Sequence, residues 1–130
     1  MKYEKSCGAV IFDNDKVLVL KQVQGHWGFP KGHVENNETE IETAIREIKE
    51  ETNLDVEINE KFRYVETYSP KENVTKDVVF FVAKKIGGDV KPQEEEVSEI
   101  KWVSPKEALE LVSYESSKIV MEKIINDLGI

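Results

Sequence analysis

Three glutamates, Glu47, Glu50 and Glu51, are spaced so that a helix would place their side chains on one face. Like charges at this spacing weaken an isolated helix by roughly 0.2–0.5 kcal/mol per pair, so helix stability does not explain them. Carboxylate oxygens are the ligands that Mg²⁺ prefers, and a bound divalent cation can activate water for attack on a phosphoryl group. On these three residues alone a solvated acidic helix face is favoured, and a site for Mg²⁺, or for Mn²⁺ in its place, is the alternative.

The segment Pro30–His33 directly precedes this acidic region and could bring backbone N–H groups and the Lys31 cation to a phosphate. Arg46 adjoins the glutamates and can reach Glu50 one turn later, or Glu38 near the start of the helix. Either contact would hold a carboxylate in place. These neighbours favour metal-dependent hydrolysis of a phosphoanhydride bond over a solvated helix face.

The chain has 130 residues and a formal net charge of −8, which fits one domain over residues 1–130. The acidic balance argues against a nucleic-acid partner, because proteins that bind nucleic-acid phosphates are usually basic. The single cysteine, Cys7, excludes an internal disulfide, and the apolar run Cys7–Phe12 favours a buried strand residue over a nucleophile. We find no signal peptide and no run of about 20 apolar residues, so we expect a cytoplasmic protein without a membrane partner. We also expect a monomer.

The elements that must position the acidic cluster follow from local patterns. Cys7–Phe12 and Lys16–Val23 are predicted strands of a hairpin, and Gln24–Lys31 should be mainly loop because it contains two glycines and a proline. Strands before and after a central helix, with more helix at the end, favour an α+β fold whose sheet is covered on two faces. The remaining predicted elements are strands at Leu54–Tyr68, Val74–Lys85 and Ile100–Val103, then a helical region from Ser104-Pro105 that Tyr114–Ser117 interrupts.

The central helix is predicted from about Glu38 to Thr52. Asn37 should cap it, with Glu40 three residues later as in a capping box, and Asn53 should adopt a left-handed conformation at its end. Apolar residues recur at helical spacing and should form one buried stripe. The stripe consists of Ile41, Ala44, Ile45 and Ile48.

A larger set of residues resembles the Nudix box: Gly32, Glu38, Arg46–Ile48, Glu50–Glu51 and Leu54. The chain departs from that motif at Asn53, where the family usually has glycine. Asparagine is the next-best residue for a left-handed helix end, so the departure should leave the catalytic residues unaffected. The resemblance implies a Nudix-type α/β/α sandwich with a mixed β-sheet between helices, over nearly the whole chain.

The resemblance also implies roles by position. Glu47, Glu50 and Glu51 would be catalytic metal ligands, and family members often add a carboxylate from a distant loop. Glu96 is our prediction for that carboxylate, with a solvated acidic loop as the alternative. The rival loop carboxylates are Glu94, Glu95 and Glu99, and the residues implied to be structural are Gly32, Glu38 and Arg46.

The segment His26–Glu35 extends the resemblance to the asymmetric diadenosine tetraphosphate hydrolases of the animal and archaeal type. That branch implies hydrolysis of diadenosine tetraphosphate to ATP and AMP. Lys31 and His33 would then contact the phosphate chain. Tyr68 and Tyr114 would stack on adenine, although each tyrosine could instead be a packing residue.

Other functions within the family stay open. Oxidised nucleoside triphosphates, diphosphoinositol polyphosphates and RNA 5′ ends are alternative substrates, although no basic stripe for RNA is visible. A module that binds nucleotide without catalysis is a further alternative. The retained Glu47, Glu50 and Glu51 argue against such a module.

Overall fold

The computed structural model describes residues 1–130 and contains a seven-stranded sheet and three helices. The strands are β1 (Lys2–Asp13), β2 (Lys16–Gln22), β3 (Trp27–Gly28), β4 (Lys31–His33), β5 (Asp55–Tyr68), β6 (Val74–Gly87) and β7 (Val97–Val103). The helices are α1 (Glu40–Thr52), α2 (Pro105–Leu111) and α3 (Glu115–Leu128). Helix α1 covers one face of the sheet, while α2 and α3 cover the other, which confirms the predicted α+β sandwich.

Strand β1 lies at the centre of the sheet and makes it mixed. It runs parallel to β6, from Lys2 opposite Val74 to Phe12 opposite Lys84, and antiparallel to β2 and β4. The strand order is β3-β2-β1-β6-β5, with β4 also beside β1 and β7 also beside β2. The predicted hairpin and the two long strands after α1 are therefore confirmed.

Successive side chains of β1 point to opposite faces of the sheet and contribute to two separate apolar cores. Cys7, Ala9 and Ile11 belong to the core under α1, whereas Val10 belongs to the core under α2 and α3. Cys7 is fully buried, as predicted, and burial raises the pKa of its thiol to about 11. A thiol that keeps its proton at neutral pH is a poor nucleophile, so Cys7 is a packing residue.

The two ends of α1 differ in how well they were predicted. Asn37 is not the cap, because the Thr39 hydroxyl accepts the Glu42 N–H at 3.1 Å and the Thr39 N–H donates to the Glu42 carboxylate at 2.8 Å. This capping box satisfies two backbone donors and excludes the overlapping pair of Asn37 and Glu40. At the other end the prediction is confirmed, since Asn53 adopts φ 68° in the left-handed region.

The buried face of α1 is rotated relative to the predicted stripe. Ala44 and Ile48 are fully buried, but Ile45 is 43 % exposed, so that part of the prediction was wrong. Thr43 and Thr52 are buried beside Ala44 and Ile48, so the face toward the sheet includes polar residues as well as apolar ones. This rotation also brings glutamates of α1 against the sheet.

Residues Lys31–His33 form strand β4, whereas the sequence patterns indicated a loop. The strand is held against β1 by the pairs Ser6–His33, Cys7–Gly32 and Gly8–Lys31. Glycine is required at position 8, because a Cβ there would overlap the Pro30 carbonyl and the Lys31 Cβ. The pairing fixes Lys31 and Gly32 beside α1.

The C-terminal helical region is interrupted slightly earlier than predicted. Helix α2 starts at Pro105 as expected, with the Ser104 hydroxyl accepting the Glu107 N–H at 3.2 Å. The interruption covers 112–114, and Tyr114 is the N-cap residue of α3. No helix of the structure is both long enough and apolar enough to cross a membrane.

Glu40, the first residue of α1, ties the helix to the sheet through two cations. Nε and Nη2 of Arg63 each donate to its carboxylate at 2.8 Å, and Lys5 Nζ lies 2.5 Å from Oε2. The hydrogen bonds from Arg63, and then those from Lys5, lower the pKa of Glu40 to about 2 from its usual 4.5. The carboxylate form of Glu40 therefore stabilises the folded state.

We expect Glu40→Gln to lower the free energy of unfolding at pH 7 by about 1–2 kcal/mol, allowing for solvent screening at the half-exposed Arg63. Because the folded-state pKa is depressed, the contribution is present above pH 4.5 and is lost as pH falls toward 2. Urea unfolding of both proteins between pH 2.5 and 7 measures the difference. Glu72→Gln, at an exposed loop residue, is the control. A difference between wild type and Glu40→Gln that does not change with pH would contradict the role given to this ion pair.

Candidate active site

Glu51 is the most buried of the predicted site residues, with 6 % of its surface exposed. Its Oε2 accepts the backbone N–H of Lys31 at 3.0 Å. Burial raises the pKa of this carboxyl to about 8, and nearby Glu47 and Glu96 contribute to the rise. Ionising a buried acid among other acids is unfavourable unless a cation neutralises it.

Glu47 lies one turn earlier on α1 and is half-buried against β4. Its carboxylate rests on the α-carbon of Gly32, where any Cβ would overlap it. Oε1 accepts a hydrogen bond from Arg46 Nη1 at 2.9 Å, whereas no protein group donates to Oε2. Burial raises the pKa of Glu47, although Arg46 opposes the rise. The absence of a side chain at Gly32 therefore permits the position of this carboxylate.

Arg46 connects the groups around the glutamates. Its Nε and Nη2 donate to the two carboxylate oxygens of Glu38 at 2.7 and 3.0 Å, and Nη2 also donates to the His33 carbonyl at 2.9 Å. Its Nη1 lies 2.9 Å from Glu47 and 3.3 Å from Glu50. The Arg46 guanidinium is the main cause that lowers the pKa of Glu38 to about 2. Arg46 thus reaches both of its expected partners and joins β4 to α1.

Glu50 differs from the other two helix glutamates. Its side chain is 49 % exposed, and both of its carboxylate oxygens lie 3.3 Å from Arg46 Nη1. No three acidic, histidine or cysteine side chains converge in metal-binding geometry. The structure brings Glu47, Glu51 and Glu96 into one electrostatic neighbourhood and leaves Glu50 at its edge.

The loop before β7 brings Glu96 close to Glu51. Glu51, Glu95 and Glu96 line one small cleft of about 160 Å³, which the rivals Glu94 and Glu99 do not line. Backbone N–H groups of residues 91 and 93 donate to carbonyls of the last turn of α1, at 2.9 and 3.2 Å. These bonds hold the loop against the helix and so place Glu96 beside the carboxylates.

The chemistry of these donors fits a hard divalent cation. Glu51 makes no ion pair within the protein, and its one hydrogen bond uses Oε2, so Oε1 is without a protein donor. Oε2 of Glu47 is likewise without one. Mg²⁺ takes oxygen ligands and is usually held by one or two carboxylates together with substrate phosphates. The oxygens of Glu47 and Glu51 that lack protein donors are therefore of the kind that holds such an ion, although no third carboxylate converges with them in this structure.

A pocket of about 550 Å³ opens beside the carboxylates. Lys31 connects the pocket to the carboxylates, because its backbone N–H donates to Glu51 and the residue also lines the pocket. Tyr68, from the end of β5, and Tyr114, from the link between α2 and α3, line the same pocket. Both tyrosines are partly exposed, at 39 % and 50 %. The structure therefore brings Lys31 and the two predicted aromatic residues together.

His33 lies outside this pocket, at the exposed end of β4. Its Nε2 is 3.4 Å from the Nζ of Lys76, a residue that the sequence analysis missed. Burial and the Lys76 charge lower the pKa of both His33 and Lys31, so the three basic groups are neighbours. Lys76 on β6 is the cross-strand partner of Tyr68 on β5. It lies two residues before Val78, which lines the pocket, so the two side chains share one face of the strand. Strand alternation along β6 was therefore a signal that could have identified Lys76.

A larger cavity, of about 750 Å³, lies at the other end of β1. It is lined by the β1–β2 turn and by residues near the start of α2 and the end of α3, including Phe12, Pro105 and Leu128. None of the predicted site residues lines it. The smaller pocket beside Glu51 is therefore the candidate active site.

Comparison with known proteins identifies the family of the chain. Residues 2–124 match the NUDIX domain family. The asymmetrical bis(5′-nucleosyl)-tetraphosphatases of Sus scrofa and Rattus norvegicus are 32 % and 30 % identical to the chain, and each comparison covers 92 % of the chain and 91 % of the relative. The crystal structure of a C. elegans Ap4A hydrolase binary complex matches with a TM-score of 0.85 and 29 % identity, covering 97 % of this chain and 98 % of that one. The chain belongs to the NUDIX domain family and is a Nudix hydrolase.

Proposed function

We propose that this Nudix hydrolase uses Mg²⁺, with Mn²⁺ able to replace it, to cleave diadenosine tetraphosphate into ATP and AMP. The position of Lys31 between the carboxylates and the pocket is the main support for this function. Its backbone N–H binds Glu51, while the same residue lines the pocket that holds Tyr68 and Tyr114. A nucleotide whose base lies between the tyrosines therefore has its phosphates directed toward the carboxylates.

The pocket offers separate contacts for base and phosphate. An aromatic ring that stacks on a base contributes about 1–3 kcal/mol, and Tyr68 and Tyr114 are the rings available for adenine. Lys31 and Lys76 are neighbouring cations within a chain of net charge −8, and the His33 imidazole, whose pKa is lowered, adds a hydrogen-bonding group beside them. Together they support binding of the polyphosphate chain at the mouth of the carboxylate site.

Glu47, Glu50, Glu51 and Glu96 are the proposed metal ligands. When bound, Mg²⁺ supplies neutralisation of phosphoryl charge and lowers the pKa of a water. The protein contributes the positions of the acidic groups: Arg46 holds Glu47 through Oε1, and the Lys31 N–H holds Glu51 through Oε2. Oε2 of Glu47, the oxygen that no protein group binds, would hold the cation and could also orient the attacking water or accept its proton.

Product analysis tests the proposal directly. With Mg²⁺, we expect the purified protein to convert diadenosine tetraphosphate into equal amounts of ATP and AMP, separated by anion-exchange chromatography. Addition of EDTA should abolish turnover, and Mn²⁺ should restore it. Formation of two ADP, or no turnover with either metal, would reject this substrate. A parallel panel of 8-oxo-dGTP, a diphosphoinositol polyphosphate and 5′-triphosphate RNA would then identify the alternative.

A further inference from the structure

Two segments that are distant in sequence meet at one wall of the pocket. They are the end of the β2–β3 loop with Trp27, the first residue of β3, and the link between α2 and α3 with Ser113. Two hydrogen bonds join them reciprocally: the Trp27 N–H donates to Ser113 Oγ at 2.9 Å, and the Ser113 N–H donates to the Trp27 carbonyl at 2.9 Å. Ser113 directly precedes Tyr114 in the chain.

A second contact joins the same two segments through their side chains. The ring of His26 lies on the ring of Tyr114, with centroids 5.1 Å apart and planes inclined by 39°. The turn that presents His26 is closed by backbone bonds between Gln22 and both Gly25 and His26, each at 2.8 Å. Gly25 has φ 101°, which a residue with a side chain rarely adopts. The His26 ring is therefore held on a preorganised turn.

Tyr114 needs such support because its own side chain makes no hydrogen bond. Its carbonyl accepts the N–H groups of Ser117 and Lys118, each at 3.1 Å, which fixes its backbone to the start of α3. Half of its surface is exposed, so core packing does not fix the ring. The ring orientation is left to the contact with His26 and to the backbone position set by Ser113.

We propose that Ser113 and His26 are positioning residues that hold Tyr114 at the base-binding wall of the pocket. Their role rests on the proposed function, in which Tyr114 stacks on a base. Loosening Tyr114 should weaken binding of substrate and transition state alike, because the base lies away from the bond that is cleaved. KM should therefore rise while kcat stays nearly constant.

Variants of Ser113 test the proposal through Tyr114. Ser113→Ala should raise KM for diadenosine tetraphosphate about two- to tenfold, as expected for loss of one hydrogen bond, with kcat within about twofold. Ser113→Thr keeps the hydroxyl and should restore KM. In a Tyr114→Ala background, Ser113→Ala should cause no further rise in KM, because a residue that acts through Tyr114 has nothing left to position.

Variants of His26 test the ring contact. His26→Ala should raise KM as Ser113→Ala does, and His26→Phe should retain the ring contact and a near-normal KM.

Ser104→Ala is the matched control, since Ser104 caps the start of α2 and Ser113 follows its end. It should lower thermal stability without changing KM. An unchanged KM in Ser113→Ala, or an equal rise in the Tyr114→Ala background, would overturn the proposal. Calorimetric titration of the same proteins with ATP tests the positioning role separately from the catalytic assignment, because ATP binding can be measured without turnover. If wild type does not turn over diadenosine tetraphosphate but binds ATP more tightly than Ser113→Ala does, the substrate assignment alone fails; if ATP does not bind wild type, the positioning role fails as well.

Discussion

Replacement of Glu51 by glutamine is expected to lower kcat by about 10²–10⁴-fold without lowering the stability of the fold. The carboxylate is buried, it has no ion pair, and its ionisation is opposed by Glu47. Glutamine has the same shape, and its carbonyl can still accept the Lys31 N–H that now binds Oε2. The substitution should therefore lower kcat while the free energy of unfolding stays the same or rises.

The measurement combines steady-state kinetics with urea unfolding followed by circular dichroism at pH 7. Glu122→Gln, an identical change at an exposed position on α3, should leave both quantities unchanged. Near-normal turnover by Glu51→Gln would remove Glu51 from the proposed metal site. A large loss of stability would show instead that the carboxylate stabilises the fold through a contact with another group.

Gly32→Ala is expected to lower kcat by about a hundredfold, although it adds only one methyl group. That methyl group would occupy the space of the Glu47 carboxylate, so the carboxylate must move. A displacement of about 1 Å at a reacting group can reduce the rate by about 10²-fold. The fold should tolerate the change, because the clash is with the end of a flexible side chain and not with the backbone.

Gly87→Ala is the matched control, since a Cβ at Gly87 would lie 3.6 Å from its nearest neighbour, an ordinary contact. Its kcat and melting temperature should stay close to those of wild type. If Gly32→Ala kept full activity with the melting temperature unchanged, the position of Glu47 over Gly32 would not matter for catalysis. Comparison with Glu47→Gln shows whether displacing the carboxylate is as harmful as neutralising it.

The sequence patterns predicted best what is local in the chain. The end of α1 at Asn53 depends on neighbouring residues and was predicted correctly, and so were the two long strands after α1, whereas β1 begins at Lys2 and not at the predicted Cys7. The start of α1 was misplaced because two capping boxes overlap there, and only the packed structure selects Thr39. Strand β4 was missed because three residues carry no periodic signal, and its partner β1 supplies the pairing. Lys76 and Ser113 were missed because their contacts, with His33 and Trp27, join residues 43 and 86 positions apart.

The parallel pairing of β1 with β6 has a consequence for how the protein folds. The chain must close a loop from Lys2 to Val74 before the centre of the sheet can form, and that closure costs entropy before any pairing compensates for it. Helix α1 lies inside this loop and can form early from local contacts. Glu51, however, contacts the Lys31 N–H only after β4 has paired with β1. Its contact with the loop of Glu96 also requires a segment that follows β6 in the sequence. Hydrolytic activity should therefore return on refolding after the helical signal, as a late phase limited by strand pairing.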